Sequence, residues 1–210
     1  MTVLDTNYFI KTIHRIAEMI EKERDYLTSL DSAVGDGDHG INLSIGFREV
    51  LVQLDLLEDP TIAEIFKKTG MTLLGKVGGA SGPLYGSLFM KMAPVDKSKK
   101  EVSIEEFVDM FSAGVDSVIS RGKAVLEDKT MVDTLLPAKN YLQEHKGAEN
   151  FSQVLQDTVE IMKQRSQEIA PLVAKKGRAM RLGERAIDHL DPGAESSWRI
   201  VECFYLEYAE

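Results

Sequence analysis

Thr6-Asn7-Tyr8-Phe9-Ile10-Lys11-Thr12-Ile13-His14-Arg15-Ile16-Ala17-Glu18-Met19-Ile20 sets the fold class. Phe9, Ile10, Ile13, Ile16, Ala17 and Ile20 recur at helical spacing, so a helix gathers them on one face, whereas a strand would scatter them over both. The stripe predicts a helix from about Thr6 to Ser29. Moving outward, Leu43, Val50, Leu51, Leu54 and Leu57 mark a second helix after Gly40, ending before Pro60. Ile62, Ile65 and Phe66 mark a third that opens near Thr61 and runs towards Val77. Pro83 suits the first turn of a fourth. Ser103 and Glu106 form a capping box for a fifth, which closes around Arg121 and Gly122. A sixth follows Asp128-Lys129-Thr130, with Pro137 as a kink or early break. Asn150 or Ser152 caps a seventh reaching about Ala174, and Trp198, Val201, Cys203, Phe204 and Leu206 belong to an eighth. Strict alternation over strand length is scarce. The expected fold is all-α, an eight-helix antiparallel barrel or bundle with the binding site at one end, in one domain spanning residues 1–210.

Composition narrows the function. The chain has 210 residues, a mass of 23.4 kDa, a formal charge of −9 and a pI near 5.1. Nucleic acid and anionic membrane both need a basic footprint, so neither is expected as a partner. The one cysteine, Cys203, has no internal disulfide partner, and the N-terminus shows no signal-peptide pattern. No run of about 18 apolar residues offers a membrane span. The cytoplasm is the expected compartment.

The first helix leads into Asp31-Ser32-Ala33-Val34-Gly35-Asp36-Gly37-Asp38-His39-Gly40. Glycine permits positive φ and tight bending, which brings Asp36 and Asp38 towards Asp31. Carboxylates so gathered repel unless a cation joins them. All-oxygen ligation favours Mg²⁺ or Ca²⁺ over zinc, and Mg²⁺ usually completes its octahedron with water and phosphate oxygens. The loop therefore points to a nucleotide. Three familiar motifs fail here. Gly35-x-Gly37-x-x-Gly40 follows no strand, and its aspartates would face a pyrophosphate without a counter-charge. An EF-hand from Asp36 would need oxygen, glycine and Glu where Gly40, Ile41 and Phe47 stand. In Gly70-Met71-Thr72-Leu73-Leu74-Gly75-Lys76-Val77, Val77 replaces the hydroxyl that a Walker A motif puts on Mg²⁺, so Lys76 reads as a surface or helix-end lysine.

Ten of the sixteen glycines fall in four interhelical regions, at 35–40, 78–82, 122 and 177–193. In an up-and-down array, the loops after helices one, three, five and seven share one rim. The four glycine regions are those loops. Val77-Gly78-Gly79-Ala80-Ser81-Gly82-Pro83 opens a helix, whose free N–H groups suit a phosphate; a tight helix-to-helix turn explains it equally well. Gly122 and Thr130-Met131 offer a place for a flat base. The segment from Gly177 to Ala194 concentrates arginines and ends at another helix N-terminus, although helix-capping turns also account for it.

Taken in order, Gly35–Asn42, Gly70–Leu74, Gly78–Pro83, Ile119–Ala124, Asp128–Met131, Gly177–Ala179, Leu182–Arg185 and Asp191–Ala194 resemble the nucleotide-binding L subunit of the dihydroxyacetone kinase family. The resemblance covers most of the chain and implies an eight-helix barrel seating ADP or ATP and two Mg²⁺ at one end. It makes Asp31, Asp36 and Asp38 the metal ligands and places His39, Ile41 and Asn42 beside phosphates and metal. It puts Ala80 and Ser81 in the phosphate cradle and Gly122 with Met131 around the adenosine. Arg178 and the Asp191-Pro192-Gly193 turn close over the nucleotide, Arg178 also stabilising transferred charge. The family pattern has glycine just before Asp-Lys-Thr-Met; here Glu127 stands there.

The family resemblance further implies a shared phosphotransferase. Bound ADP is a tightly held coenzyme, rephosphorylated by the phosphohistidine of an M subunit in the phosphoenolpyruvate-dependent system. The resulting ATP phosphorylates dihydroxyacetone held covalently on a K subunit. Two other readings use the same residues: an ATP-consuming kinase subunit for another partner-held substrate, and a non-catalytic, nucleotide-loaded module that switches a partner such as a transcriptional regulator. His14 and His145 read as surface or packing residues and Cys203 as core, while His189 stands about evenly between a role in a functional loop and a helix cap.

Overall fold

The computed structural model describes residues 3–210. Eight α-helices form the body: α1 (Thr6–Val34), α2 (His39–Leu54), α3 (Ile62–Lys76), α4 (Ser81–Lys91), α5 (Ile104–Gly122), α6 (Val132–His145), α7 (Phe151–Glu168) and α8 (Pro192–Ala209). Each packs on the next, and α8 returns to pack on α1, so the array closes into an antiparallel ring. Closure gives every helix an inward stripe. Phe9, Ile13, Ile16 and Ile20 of α1 meet Leu43 and Phe47 of α2, Phe66 of α3, Phe89 of α4, Phe107 of α5 and Phe204 of α8 in one buried core. Phe9 and Phe66 meet edge-on with ring centroids 5.1 Å apart, a geometry that suits the charge distribution of aromatic rings.

The helix starts follow local chemistry. Thr61 with Glu64 and Ser103 with Glu106 form complete capping boxes, while Asn150 and Asp191 cap α7 and α8 through their side chains. Pro137 is accommodated within α6. Lys76 lies in the last turn of α3 and pairs with Glu49 at 3.8 Å.

Three elements depart from the sequence expectations. Helix α1 continues to Val34 and carries Asp31 in its last turn, so Asp31 belongs to a helix and the loop begins only at Gly35. Leu27 and Val34 are buried, and the backbone has no reason to break before the glycine. Helix α7 ends at Glu168, short of Ala174, because Pro171 lacks an N–H and disfavours helical conformation in the residue before it. A short ribbon also forms where none was expected: β1 (Val3–Asp5) pairs antiparallel with β2 (Glu101–Ser103). It lies where α1 and α5 start, at the end opposite the loops that follow α1, α3, α5 and α7.

Candidate nucleotide and metal site

Those four loops meet, as the glycine pattern predicted. A cleft of about 360 Å³ opens at this end, lined by Asp31, Asp36 and Asp38 after α1, Gly78 to Ser81 after α3, Gly122 and Met131 around the α5–α6 connection, and Arg178 with Asp191 to Gly193 before α8. Among the described residues, no helix is long and apolar enough to cross a membrane.

At one side of the cleft, Asp31, Asp36 and Asp38 present carboxylate oxygens all within 4.8 Å of one another. Asp31 builds the turn that carries its partners: its Oδ2 accepts from the backbone N–H of Asp38 at 2.9 Å and of His39 at 3.2 Å. Gly37 sits at φ +72°, a region costly for other residues. The donor set is all oxygen, which suits a hard divalent cation such as Mg²⁺. Arg178 forms an ion pair with Asp36 across the mouth. Both side chains are about half exposed, so the contact is weak and exchangeable.

Opposite the carboxylates, α4 begins at Ser81 without a side-chain cap, leaving its first N–H groups available. Gly78 and Gly79 let the backbone pass close by: a Cβ on Gly78 would meet Asn42 Nδ2 at 3.1 Å, and Gly79 takes φ +66°. His39 joins the two sides. Its Nδ1 lies 3.0 Å from Ser81 Oγ and its Nε2 2.9 Å from Ser196 Oγ, itself 2.6 Å from the hydroxyl of buried Tyr85. Burial holds the His39 pKa down to about 4, so the neutral ring offers one donor and one acceptor. Desolvation raises the Tyr85 pKa well above its ordinary value.

On the far wall, Met131 is buried and Gly193 approaches it: a Cβ on Gly193 would stand 3.5 Å from the Met131 Cβ. Asp191 caps α8 by accepting from Ala194 N at 2.7 Å. Burial pushes its pKa up to about 7, with nearby Asp133 adding to the rise. Glu127 adopts φ +67°, so the position where the family pattern has glycine does require the left-handed region. Its N–H donates to Asp133, which also accepts from Thr130 N at 2.8 Å.

Most of the expected site residues thus line one cleft; Ile41 and Asn42 do not. Ile41 is two residues, roughly 200° of helix turn, beyond inward-facing His39, and is 43% exposed. Asn42 stays beside the cradle through Gly78 but does not face the cavity. His189 is exposed outside the cleft, and Cys203 is core, its thiol raised to about 12 by burial. Tyr85, Ser196 and Lys129 join the site without an assigned signal in the sequence. Tyr85 and Ser196 are 111 residues apart and carry no local signal of their partnership. Lys129 lies within the Asp128–Met131 run, whose composition gives no sign of its burial.

The fold and cleft define a class: an all-α barrel with a cluster of carboxylates facing an uncapped, glycine-lined helix start at one rim. A family model described as the DAK2 domain matches residues 33–206, and the chain belongs to that family. A Listeria innocua protein named PEP-dependent dihydroxyacetone kinase 2, ADP-binding subunit DhaL, is 54% identical, the match covering 95% of this chain and 93% of that one. The Escherichia coli K12 protein named PEP-dependent dihydroxyacetone kinase, ADP-binding subunit DhaL, is 41% identical, with 99% of both chains covered. The fold also matches the crystal structure of the dihydroxyacetone kinase from C. freundii in complex with AMP-PNP and Mg²⁺, with a TM-score of 0.74 and 22% identity over 100% of this chain and 35% of that one.

Proposed function

We propose that the chain is the ADP-binding subunit of a phosphoenolpyruvate-dependent dihydroxyacetone kinase, a phosphotransferase acting on an alcohol group, folded as one ADP- and Mg²⁺-binding domain over residues 1–210. The observation that carries this reading is the meeting, in one cleft, of three convergent aspartates with an uncapped, glycine-flanked helix start. The names of relatives that match nearly end to end support it. Bound ADP serves as a tightly held coenzyme: the phosphohistidine of an M subunit rephosphorylates it, and the ATP formed phosphorylates dihydroxyacetone held covalently on a K subunit. The cytoplasm is the corresponding compartment.

Asp31, Asp36 and Asp38 would hold Mg²⁺, two ions in this reading. Bound there, Mg²⁺ offsets the charge of phosphates and carboxylates, which is most of what phosphoryl transfer asks of a site. Ser81 and the first N–H groups of α4 orient phosphate oxygens, while His39, tied to Ser81 and Ser196, holds the metal turn and cradle in register. Gly122, Met131 and the Asp191-Pro192-Gly193 turn flank the adenosine. Arg178, which meets Asp36 across the mouth, would add positive charge over the transferred group.

Reconstitution tests the reading. The purified chain is combined with K and M subunits, phosphoenolpyruvate and the general phosphotransferase proteins, and dihydroxyacetone phosphate is followed with a coupled dehydrogenase. The expected result is turnover with catalytic amounts of ADP. Turnover that demands stoichiometric ATP and ignores phosphoenolpyruvate would replace this function with an ATP-consuming kinase subunit.

A further inference from the structure

Lys129 is a lysine on the cleft wall that is only 2% exposed. Its backbone takes φ +61°, in the left-handed region that non-glycine residues rarely adopt. Nζ donates to the carbonyls of Ala170 at 2.6 Å, Leu172 at 3.0 Å and Ala186 at 2.5 Å, using all three ammonium protons. Among the described residues it forms no ion pair with a carboxylate.

The three acceptors bracket one segment. Ala170 and Leu172 follow the end of α7, and Ala186 ends the 3₁₀ segment Ala179–Ala186, so between them runs the stretch that carries Arg178 over the cleft. The stretch has little else to hold it. Its apolar contacts form a separate small cluster of Ala174, Ala179 and Ala186 with Val34 at the end of α1 and part-buried Leu182. Gly177 and Gly183 both sit at positive φ with open space around them. The remaining ties are the half-exposed Arg178–Asp36 ion pair, Lys175 N to Asp128 O at 3.0 Å and Asp188 N to Ala170 O at 2.8 Å.

A buried ammonium costs free energy unless charge or hydrogen bonds compensate it. Desolvation lowers the Lys129 pKa, opposed by the charges of Asp191 and Asp188. A cleft that receives an anion supplies further negative charge. Clasp and ligand then favour the same closed arrangement.

We propose that Lys129 is a positioning residue: it clasps the 170–186 segment over the cleft and sets how long a bound nucleotide stays. The inference rests on the nucleotide reading of the site. It assigns coenzyme-like retention to a residue that need not touch the phosphates.

The test is the dissociation of radiolabelled ADP from the full chain with Mg²⁺, chased with unlabelled ADP. Lys129→Met is expected to speed release at least about tenfold, as the loss of one hydrogen bond to a charged group would, while far-UV helicity is retained. Arg178→Ala is also expected to speed release. The double variant should release no faster than the quicker single variant, because both act through the same segment. Release within twofold of wild type, or effects that multiply, would overturn the clasp. Should Lys129→Met lose its helical signal, the same measurements are made on Lys129→Gln, which keeps two donors without charge, and the same outcomes decide. A wild-type chain that binds no Mg²⁺-ADP would instead overturn the nucleotide reading.

Discussion

Asp31, Asp36 and Asp38 carry the clearest consequence at the residue scale. Replacing any one with alanine is expected to abolish Mg²⁺-dependent ADP binding, read by isothermal titration, while the far-UV spectrum stays helical. Retained affinity at limiting Mg²⁺ would remove that residue from the ligand set. Asp191 and His39 give a paired pH effect. His39, lowered to about 4 by burial, adds stability as pH rises towards 6.5; Asp191, raised to about 7, removes it as pH rises from 4 to 7. The two oppose each other in the wild type. Asp191→Asn preserves a capping oxygen and deletes only the second, so its stability should gain on wild type across that window, by up to about 1.4 kcal/mol per pH unit. Parallel urea-derived stabilities at every pH would contradict this. Glu127→Gly should relieve left-handed strain and raise stability by up to about 1 kcal/mol, limited by the flexibility glycine adds to the unfolded chain. An unchanged or lower urea midpoint would count against it. The aspartates were legible because three like charges beside glycines demand a partner. His39's contacts were not, since Ser81 and Ser196 come from different helices and only tertiary folding chooses them.

Element-scale packing rests on close approaches as much as on apolar stripes. At the α3–α4 crossing, a Cβ on Gly86 would stand 2.8 Å from the Gly70 carbonyl, and one on Gly70 would stand 2.5 Å from the Gly86 carbonyl. Gly86→Ala must force the helices apart. A loss of about 1–3 kcal/mol is expected from urea unfolding, together with weaker nucleotide binding, because α4 carries Ser81 into the cleft. Stability and binding equal to wild type would show that the helices adjust freely. Helix identities were readable from period and capping: Thr61, Ser103 and Asn150 sit at their caps as residue chemistry requires. The end of α7 was misread because apolar periodicity runs on past Pro171, and the proline's missing donor outweighs it. The β1–β2 ribbon was invisible for another reason. Three-residue strands lack enough alternation to register, and their pairing joins residues almost 100 positions apart.

At the scale of the whole molecule, the ring explains why the site is where it is. Eight antiparallel helices put the four odd-numbered loops at one end, so chain segments distant in sequence share a single cleft. The glycine distribution made that convergence legible. The Lys129 contacts to the 170–186 segment were not, because a lysine in a polar motif looks solvated until three carbonyls are found around it. The spread of the site over four loops also ties ligand to stability. Saturating Mg²⁺-ADP should protect the entire fold, by about 2.7 kcal/mol at a hundredfold excess over Kd, and chelation should reverse it. Native mass spectrometry of the purified chain, before and after chelation, tests the central claim most directly. One retained ADP with Mg²⁺, lost from the chain on chelation, is the expected result; a bare chain that acquires no nucleotide when Mg²⁺ and ADP are supplied would contradict it.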